Sequence, residues 1–394
     1  MKASRASVAR KESWIVKMTG RSWHRGQALR TVAVAGLLAV LLTGCGGGGA
    51  GGEIHIGVAI SSFGPSAAVK EDVVRGVETA VAEINSAGGI KARHLKVVIE
   101  ESGSDKETGL KAVHRLIDTE KAVLIVNGTR SDVFGNWAEY ARSKDVVVIN
   151  ATASSPLVSR LGGTVYTVTV AHAELGGQLA KWVYESGHRK VAVLFPAGQL
   201  GSEMQRGASE GLRRLGGAIV ASVGYEPGRA DYSSDLARVA SERPDAVIAC
   251  LSGEEGNLLF RQARQTRMLG PWYLAYPSQL KVEGPSLAAG RVFGIEVAYT
   301  QPSAEKFRAH YASRYENATP SPWAAYSFDG TWMVAYAMRR VGTEASKIAQ
   351  VFARGGKGYA GATGILDFDK HGHRTAPQFE RLKVSSDGKL MPAK

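Results

Sequence analysis

Ile54-His55-Ile56-Gly57-Val58-Ala59-Ile60 is a short, nearly continuous apolar run rich in β-branched residues. Such a run suits a strand covered on both faces, as in a parallel sheet. The stretch after it has a different period. Val73, Val74, Val77, Ala80, Val81 and Ile84 fall on one face of a helix, and Asn85 to Gly89 stops that helix. A second apolar run, Leu95 to Ile99, follows, so the chain alternates strand and crossover helix. Ala122 to Val126 and Val146 to Ile149 continue the series, and Val191 to Phe195, Ile219 to Val223, Ala246 to Leu251 and Val292 to Val297 repeat it. The alternation therefore occurs twice, before and after about residue 168, and predicts an α/β fold of two similar lobes with parallel sheets. Trp182 and Tyr184 lie within a long helical stretch and read as core packing. Ligands of open parallel sheets sit beyond the carboxyl ends of the strands, which makes the cleft between the lobes the expected binding site.

The N-terminal 44 residues have another character. Lys2 to Arg30 carries eight Lys/Arg against one Glu, Thr31 to Gly44 is uncharged and largely apolar, and Leu42-Thr43-Gly44-Cys45 closes the segment. This is the layout of a secretory signal peptide, and it is short for a bilayer span. Leu-x-Gly-Cys resembles a bacterial lipobox, which implies cleavage before Cys45 and lipidation of its thiol and new amino group. Several acyl chains on one residue give a stable anchor, since each buried methylene contributes about 0.8 kcal/mol. Met18 is an alternative start to Met1. The expected organisation is 1–44 signal peptide and 45–52 glycine-rich tether, with the folded part from 53, held outside the cytoplasm on the membrane.

The net charge of +13 divides into +7 on the leader and +6 on the remainder. A mildly basic extracytoplasmic protein has no special claim on nucleic acid, and no basic-aromatic cluster of the binding kind is present. The charge favours acidic ligands or an anionic membrane surface only weakly. Of the two cysteines, Cys45 is assigned to the lipid, and Cys250 stands in an apolar run as a small buried hydrophobe.

Several landmarks then come in succession. Ile56-Gly57-Val58 leads to Ser62-Phe63-Gly64-Pro65, and a helix ends in Glu83-Ile84-Asn85-Ser86-Ala87-Gly88-Gly89-Ile90. Gly364-Ile365-Leu366-Asp367-Phe368-Asp369 runs on to Gly372, with Ser386-Asp387-Gly388 beyond. Together they resemble the type I periplasmic solute-binding proteins, the group that includes the branched-chain amino acid receptors of ABC importers. The resemblance covers 53 to 394. It implies two Rossmann-like lobes joined by a three-crossover hinge near Thr167 to Val170, Ile295 to Tyr299 and Gly361 to Gly364. The lobes would be 53–168 with 298–361, and 169–297 with 362–394. Gly88-Gly89 suits a tight helix-to-strand turn, and Asp367 to Gly372 a short strand and turn.

The resemblance also carries a site. Two loops at first-lobe strand ends hold the ligand carboxylate and amine in the amino acid receptors. They correspond here to Asn127-Gly128-Thr129-Arg130-Ser131-Asp132 and Asn150-Ala151-Thr152-Ala153-Ser154-Ser155-Pro156. Thr129, Ser131, Ala153 and Ser154 are the candidate contacts, through hydroxyls and backbone N–H groups at a helix start. The same hydroxyls suit helix caps. Arg130 is extra to the plain hydroxyl loop; it either clamps a second acidic group or is solvated. The second lobe departs from the amino acid pattern. Pro277 in Ala275-Tyr276-Pro277-Ser278 stands near the expected acid, Ser252 takes the place of a tyrosine, and Leu200 that of another polar aromatic. Glu254 or Glu255 is read as solvating a helix start, with replacement of that acid as the other role open to it. Tyr276 and Phe328 are candidates for an aromatic wall, Phe328 equally for hinge packing.

The expected function is a lipid-anchored solute-binding receptor of an ABC importer, a monomer without cofactor. It would capture a small polar or carboxylate-bearing solute and present its closed form to an inner-membrane permease. A tethered sensor or activator that binds a protein partner is the alternative on the same fold. An enzyme is not expected: Gly-x-Ser-x-Gly, His-Glu-x-x-His and Walker-type motifs are absent, and His371-x-His373 has no third metal ligand nearby in sequence.

Overall fold

The structure, a computed structural model, describes residues 52–63, 67, 69–153, 161–251, 253–266, 268, 270–280, 291–297, 304–354 and 358–393. The leader, Cys45 and most of the tether lie outside the described residues. One sheet holds β1 (Ile54–Ile60), β2 (Leu95–Glu101), β3 (Leu124–Gly128), β4 (Val147–Asn150) and β5 (Val165–Thr167). Its strands are parallel, in the order β2-β1-β3-β4-β5. The helices between them are α1 (Lys70–Ser86), α2 (Lys106–His114) and α3 (Ser131–Ser143).

The second sheet repeats the plan. Its strands β6 (Lys190–Pro196), β7 (Ala218–Tyr225), β8 (Ala246–Cys250), β9 (Trp272–Ala275) and β10 (Val292–Val297) are parallel, in the order β7-β6-β8-β9-β10. Helices α4 (His172–Glu185), α5 (Gln199–Leu215), α6 (Ser233–Ser241) and α7 (Gly253–Gln265) accompany it. The chain then returns to the first sheet as α8 (Glu305–Arg314), α9 (Pro322–Val341) and α10 (Ala345–Arg354). A small antiparallel sheet follows, of β11 (Tyr359–Gly361), β12 (Gly364–Phe368) and β13 (Arg374–Thr375). It is joined to the end of β5 by pairing of Thr167 with His373. Gly361 to Gly364 is thus the turn between β11 and β12. The chain enters the second sheet at β14 (Phe379–Val384), antiparallel to β10, and ends on β15 (Leu390–Pro392).

The long apolar runs appear as strands within a residue or two of their expected limits. Val73, Val77, Ala80, Val81 and Ile84 of α1 are buried as their spacing predicts. β5 and β9 are not expected from sequence: one has three residues, the other has four, Trp272-Tyr273-Leu274-Ala275, set between Pro271 and Pro277. One apolar cluster covers a face of each sheet and runs through the junction by way of Tyr166, Val168, Val170, Tyr276 and Tyr326. Trp182 lies in it, edge-on to Tyr273 and Phe293. Separate clusters cover the other face of each sheet.

Two helix pairs approach backbone to backbone. A Cβ on Gly207 of α5 would overlap the Ala173 carbonyl, one on Gly176 of α4 the Met204 carbonyl, and one on Gly76 of α1 the Ala324 carbonyl. We expect Gly207→Ala to destabilise the protein by about 1–3 kcal/mol, the cost of overpacking a rigid contact. Denaturant unfolding measures it, and a variant as stable as the parent would remove the close-approach argument.

Candidate functional site

The carboxyl ends of β3, β4 and β5 carry polar residues in register: Asn127 lies beside Asn150, and Asn150 beside Thr167. Asn127 and Asn150 are fully buried, and Thr167 nearly so. Buried amides require partners, and here the two asparagines build the loops above them. Asn127 Oδ1 accepts from Thr129 N (3.0 Å) and Thr129 Oγ1 (2.7 Å), while its Nδ2 donates to Asn150 Oδ1 (3.0 Å). Asn150 Oδ1 accepts from Ala153 N (2.9 Å), and Nδ2 donates to Thr167 Oγ1 (3.2 Å). Thr152 Oγ1 closes the arrangement by donating to Thr129 O (2.7 Å). Helix α3 starts directly after the first of these loops, so its N-terminal amides lie at this edge, where a partial positive charge favours an anion.

The expected contacts are distributed unevenly. Thr129 is fully buried, and its hydroxyl is used inside the loop. Arg130 occupies the N-cap position of α3 with no side-chain cap. The capping alternative is therefore not realised for Thr129. Arg130 makes a fork to its neighbour Asp132, Nε to Oδ1 at 2.6 Å and Nη2 to Oδ2 at 2.5 Å, with both side chains near half exposed. Ser131 opens α3, and Ala153 is buried with its amide on Asn150. Ser154 and Ser252 lie outside the described residues. Phe328 is buried on α9 against Phe307, ring centroids 4.4 Å apart, which is packing between α8 and α9.

Tyr276 follows β9 in a left-handed conformation (φ 52°, ψ 59°), and Pro277–Gln279 form a single 3₁₀ turn after it. A non-glycine residue there carries backbone strain. Its ring reaches Trp323, in the first turn of α9, at 4.9 Å, and His172, the first residue of α4, at 6.2 Å. The Tyr276 hydroxyl faces those of Tyr326 and Thr169, and burial holds its pKa well above the ordinary phenol range. Trp323 and His172 are not apparent from sequence, since they are close only through the meeting of three elements. Glu255 is not a solvated helix start: Tyr232 donates to it at 2.8 Å and Tyr225 at 3.5 Å. Cys250 is half-buried, and burial pushes its thiol up to about 12, the behaviour of an unreactive side chain.

Glu296, Asp329 and His172 are buried ionisable groups near the junction. Glu296, at the end of β10, is 1 % exposed and accepts from Ser278 N (3.3 Å). Burial raises its pKa to about 7, opposed by the Ser278 bonds and aided by Glu380. Asp329 is raised by burial to about 6, against its bonds to Thr363 and Ala362. His172 is lowered by burial to about 4. A raised acid binds protons more tightly folded than unfolded, so its stabilisation is present at low pH and lost as pH rises through the folded pKa. A lowered histidine acts oppositely, losing stability as pH falls below 6.5 toward 4. Above pH 6.5 Glu296 dominates. We expect Tm to fall from pH 6.5 to 8, and Glu296→Gln to flatten that slope; equal slopes in thermal scans would contradict it. Asn150→Ala leaves the Ala153 amide and Thr167 hydroxyl without their partner. A loss of about 1–3 kcal/mol in denaturant unfolding is expected, and parent-like stability would contradict the loop-building role.

Two α/β bodies of the same strand order, with polar loops at the strand ends and three connections between them, define a two-lobed binding protein of the type I periplasmic fold. The chain belongs to the periplasmic binding protein family, whose model matches residues 53–389. The Leu/Ile/Val-binding protein of Escherichia coli K12 is 24% identical over 283 residues, 70% of this chain and 77% of that protein. A Leu/Ile/Val-binding protein homolog of Brucella melitensis is 25% identical over 350 residues, 86% and 93% of the two chains. Among solved structures, a branched-chain amino acid transporter substrate binding protein of Streptococcus pneumoniae in complex with isoleucine superposes with a TM-score of 0.76. It has 22% identity and covers 87% of this chain and 99% of its own. An ABC transporter solute binding protein of R. palustris in complex with benzoate gives a TM-score of 0.73 at 18% identity, covering 86% and 95%.

Proposed function

We propose that this protein is a lipid-anchored, extracytoplasmic receptor of an ABC importer and binds a small carboxylate-bearing solute between its lobes. The reading is supported by the polar loops at the ends of β3 and β4, which stand beside the start of α3, and by the aromatic contact of Tyr276 with Trp323. The N-terminus of α3 beside these loops favours a carboxylate, and the aromatic pair gives an apolar face for the remainder of the solute. Isoleucine and benzoate, held by two structural neighbours, share that division into a carboxylate and an apolar body. Thr129, Arg130, Ser131, Ala153 and Ser154 form the first-lobe side; Ser252 and Tyr276 belong to the second, and Phe328 backs the wall. Thr129 acts by holding its loop.

The lobes are taken as 53–168 with 298–361 and 169–297 with 362–394, closing as a monomer on the solute about their connections. The solute favours the closed form only by its greater affinity for it, and a permease in the inner membrane reads that form. Cys45 carries the lipid after removal of 1–44, and 45–52 is the tether. Among the described residues no helix is long and apolar enough to cross a membrane. The reading is that of a binding protein, with no catalytic step.

Thermal unfolding of the full-length chain against leucine, isoleucine, benzoate and small dicarboxylates tests this. A solute at 100 times Kd adds about 2.7 kcal/mol, and a clear rise in Tm with one carboxylate is expected. Trp323→Ala should weaken that binding about tenfold or more, the scale of an aromatic contact. No shift with any carboxylate, or unchanged affinity in the variant, would overturn the assignment and move the reading to a sensor or activator with a protein partner.

A further inference from the structure

Asp329 is fully buried on α9, a helix whose neighbouring positions Ala325, Phe328 and Met333 are apolar and packed. Its Oδ1 accepts from Ala362 N at 2.6 Å; Oδ2 accepts from Thr363 N at 2.8 Å and Thr363 Oγ1 at 2.6 Å. Gly361 presses against the same carboxyl group, and a Cβ there would overlap it. From the opposite side comes Arg374 of β13, 8 % exposed. Its Nη1 donates to Thr363 Oγ1 (3.0 Å) and Val168 O (3.4 Å), and its Nη2 to Thr363 O (2.5 Å) and Ile365 O (3.3 Å). The Thr363 hydroxyl therefore donates to a buried carboxylate and accepts from a buried guanidinium. Glu174 of α4 and Tyr326 lie in the field of Arg374, and Tyr326 faces Tyr276 at the cleft.

These contacts converge on the connections between the sheets. Val168 begins the link from β5 to α4, and Arg374 stands in the short strand before the chain enters the second sheet at Phe379. Rotation of one sheet relative to the other changes backbone torsions in both links. Bonds between charged and polar groups out of water are costly to break one at a time, because each leaves a buried partner unsatisfied. We propose that Asp329, Thr363 and Arg374 form a clamp on the hinge that sets how readily the lobes part. They act as positioning residues, governing solute affinity without touching the solute. Val168 and the 361–365 turn are held to α9, which moves the start of the second lobe's last segment from 362 to about 375, and bending is confined to 169–171 and 375–378. The inference rests on the proposed hinge-closing reading and deepens it.

Hydrogen exchange of the full-length chain, measured by mass spectrometry without added solute, tests the clamp. Failure to find a ligand and failure of the clamp are then separate outcomes. Thr363→Val keeps the shape, spares both backbone bonds to Asp329 and removes the hydroxyl; Thr363→Ser keeps the hydroxyl. In Thr363→Val we expect exchange roughly tenfold faster, the scale of a lost bond to a charged group. The increase should appear in 359–375 and also at the cleft edges, 127–133 and 246–250, with the centre of α1 unchanged and Thr363→Ser like the parent. An increase confined to 359–375 would mean a local turn cap and overturn the proposal. So would a Thr363→Ser variant as fast as Thr363→Val.

Discussion

A carboxylate inside an apolar helix is tolerable only where donors surround it, and that requirement at Asp329 organises the middle of this molecule. Two backbone N–H groups and one hydroxyl meet its two oxygens. To bring them there, the 361–364 turn must lie directly against α9, with glycine at 361 because no side chain fits. Arg374 then balances the charge and reaches the carbonyl of Val168. A helix of the first lobe, the return hairpin and the first link to the second lobe are thereby held in one arrangement.

Around that point the two sheets follow from the constraint that parallel strands need crossover helices. Both sheets have the order second-first-third-fourth-fifth, which brings all parallel carboxyl ends of a lobe to one edge. At that edge Asn127 and Asn150 use their own side chains to fold the loops, taking up the Thr129 and Ala153 amides, and α3 begins beside them. Beyond the second sheet's strands Tyr276 meets Trp323, Glu255 is engaged by two tyrosines, and Glu296 lies beneath the Pro277–Gln279 turn. The fold of the loops at this edge is thus a product of local hydrogen-bond satisfaction.

The residues differ in how far their roles can be read along the chain. Ile54 to Ile60 and the Val73 to Ile84 face are legible because burial on both faces, or on one face of a helix, imposes a composition or a period. The loops after β3 and β4 are legible as polar loops at strand ends, since they follow apolar strands and carry hydroxyls. Thr129 is not legible as a loop-building rather than exposed residue, because this depends on Asn127 beside it. β9 escapes notice for its brevity, and Glu255 for the two tyrosines, 30 and 23 residues away in sequence, that occupy it.

The sequence by itself determined the α/β class, the duplication into two lobes, most of the strand positions and the polar loops that end them, since each is written in local pattern. Tertiary structure alone decided that Trp323 and His172 meet Tyr276, that Phe328 packs against Phe307, and that Asp329 and Arg374 converge on Thr363. Those contacts join residues 11 to 104 positions apart. The physical reason is that periodicity reports which face a residue buries, whereas partners across a hinge are chosen by charge and hydrogen-bond balance among segments that only the folded chain brings together.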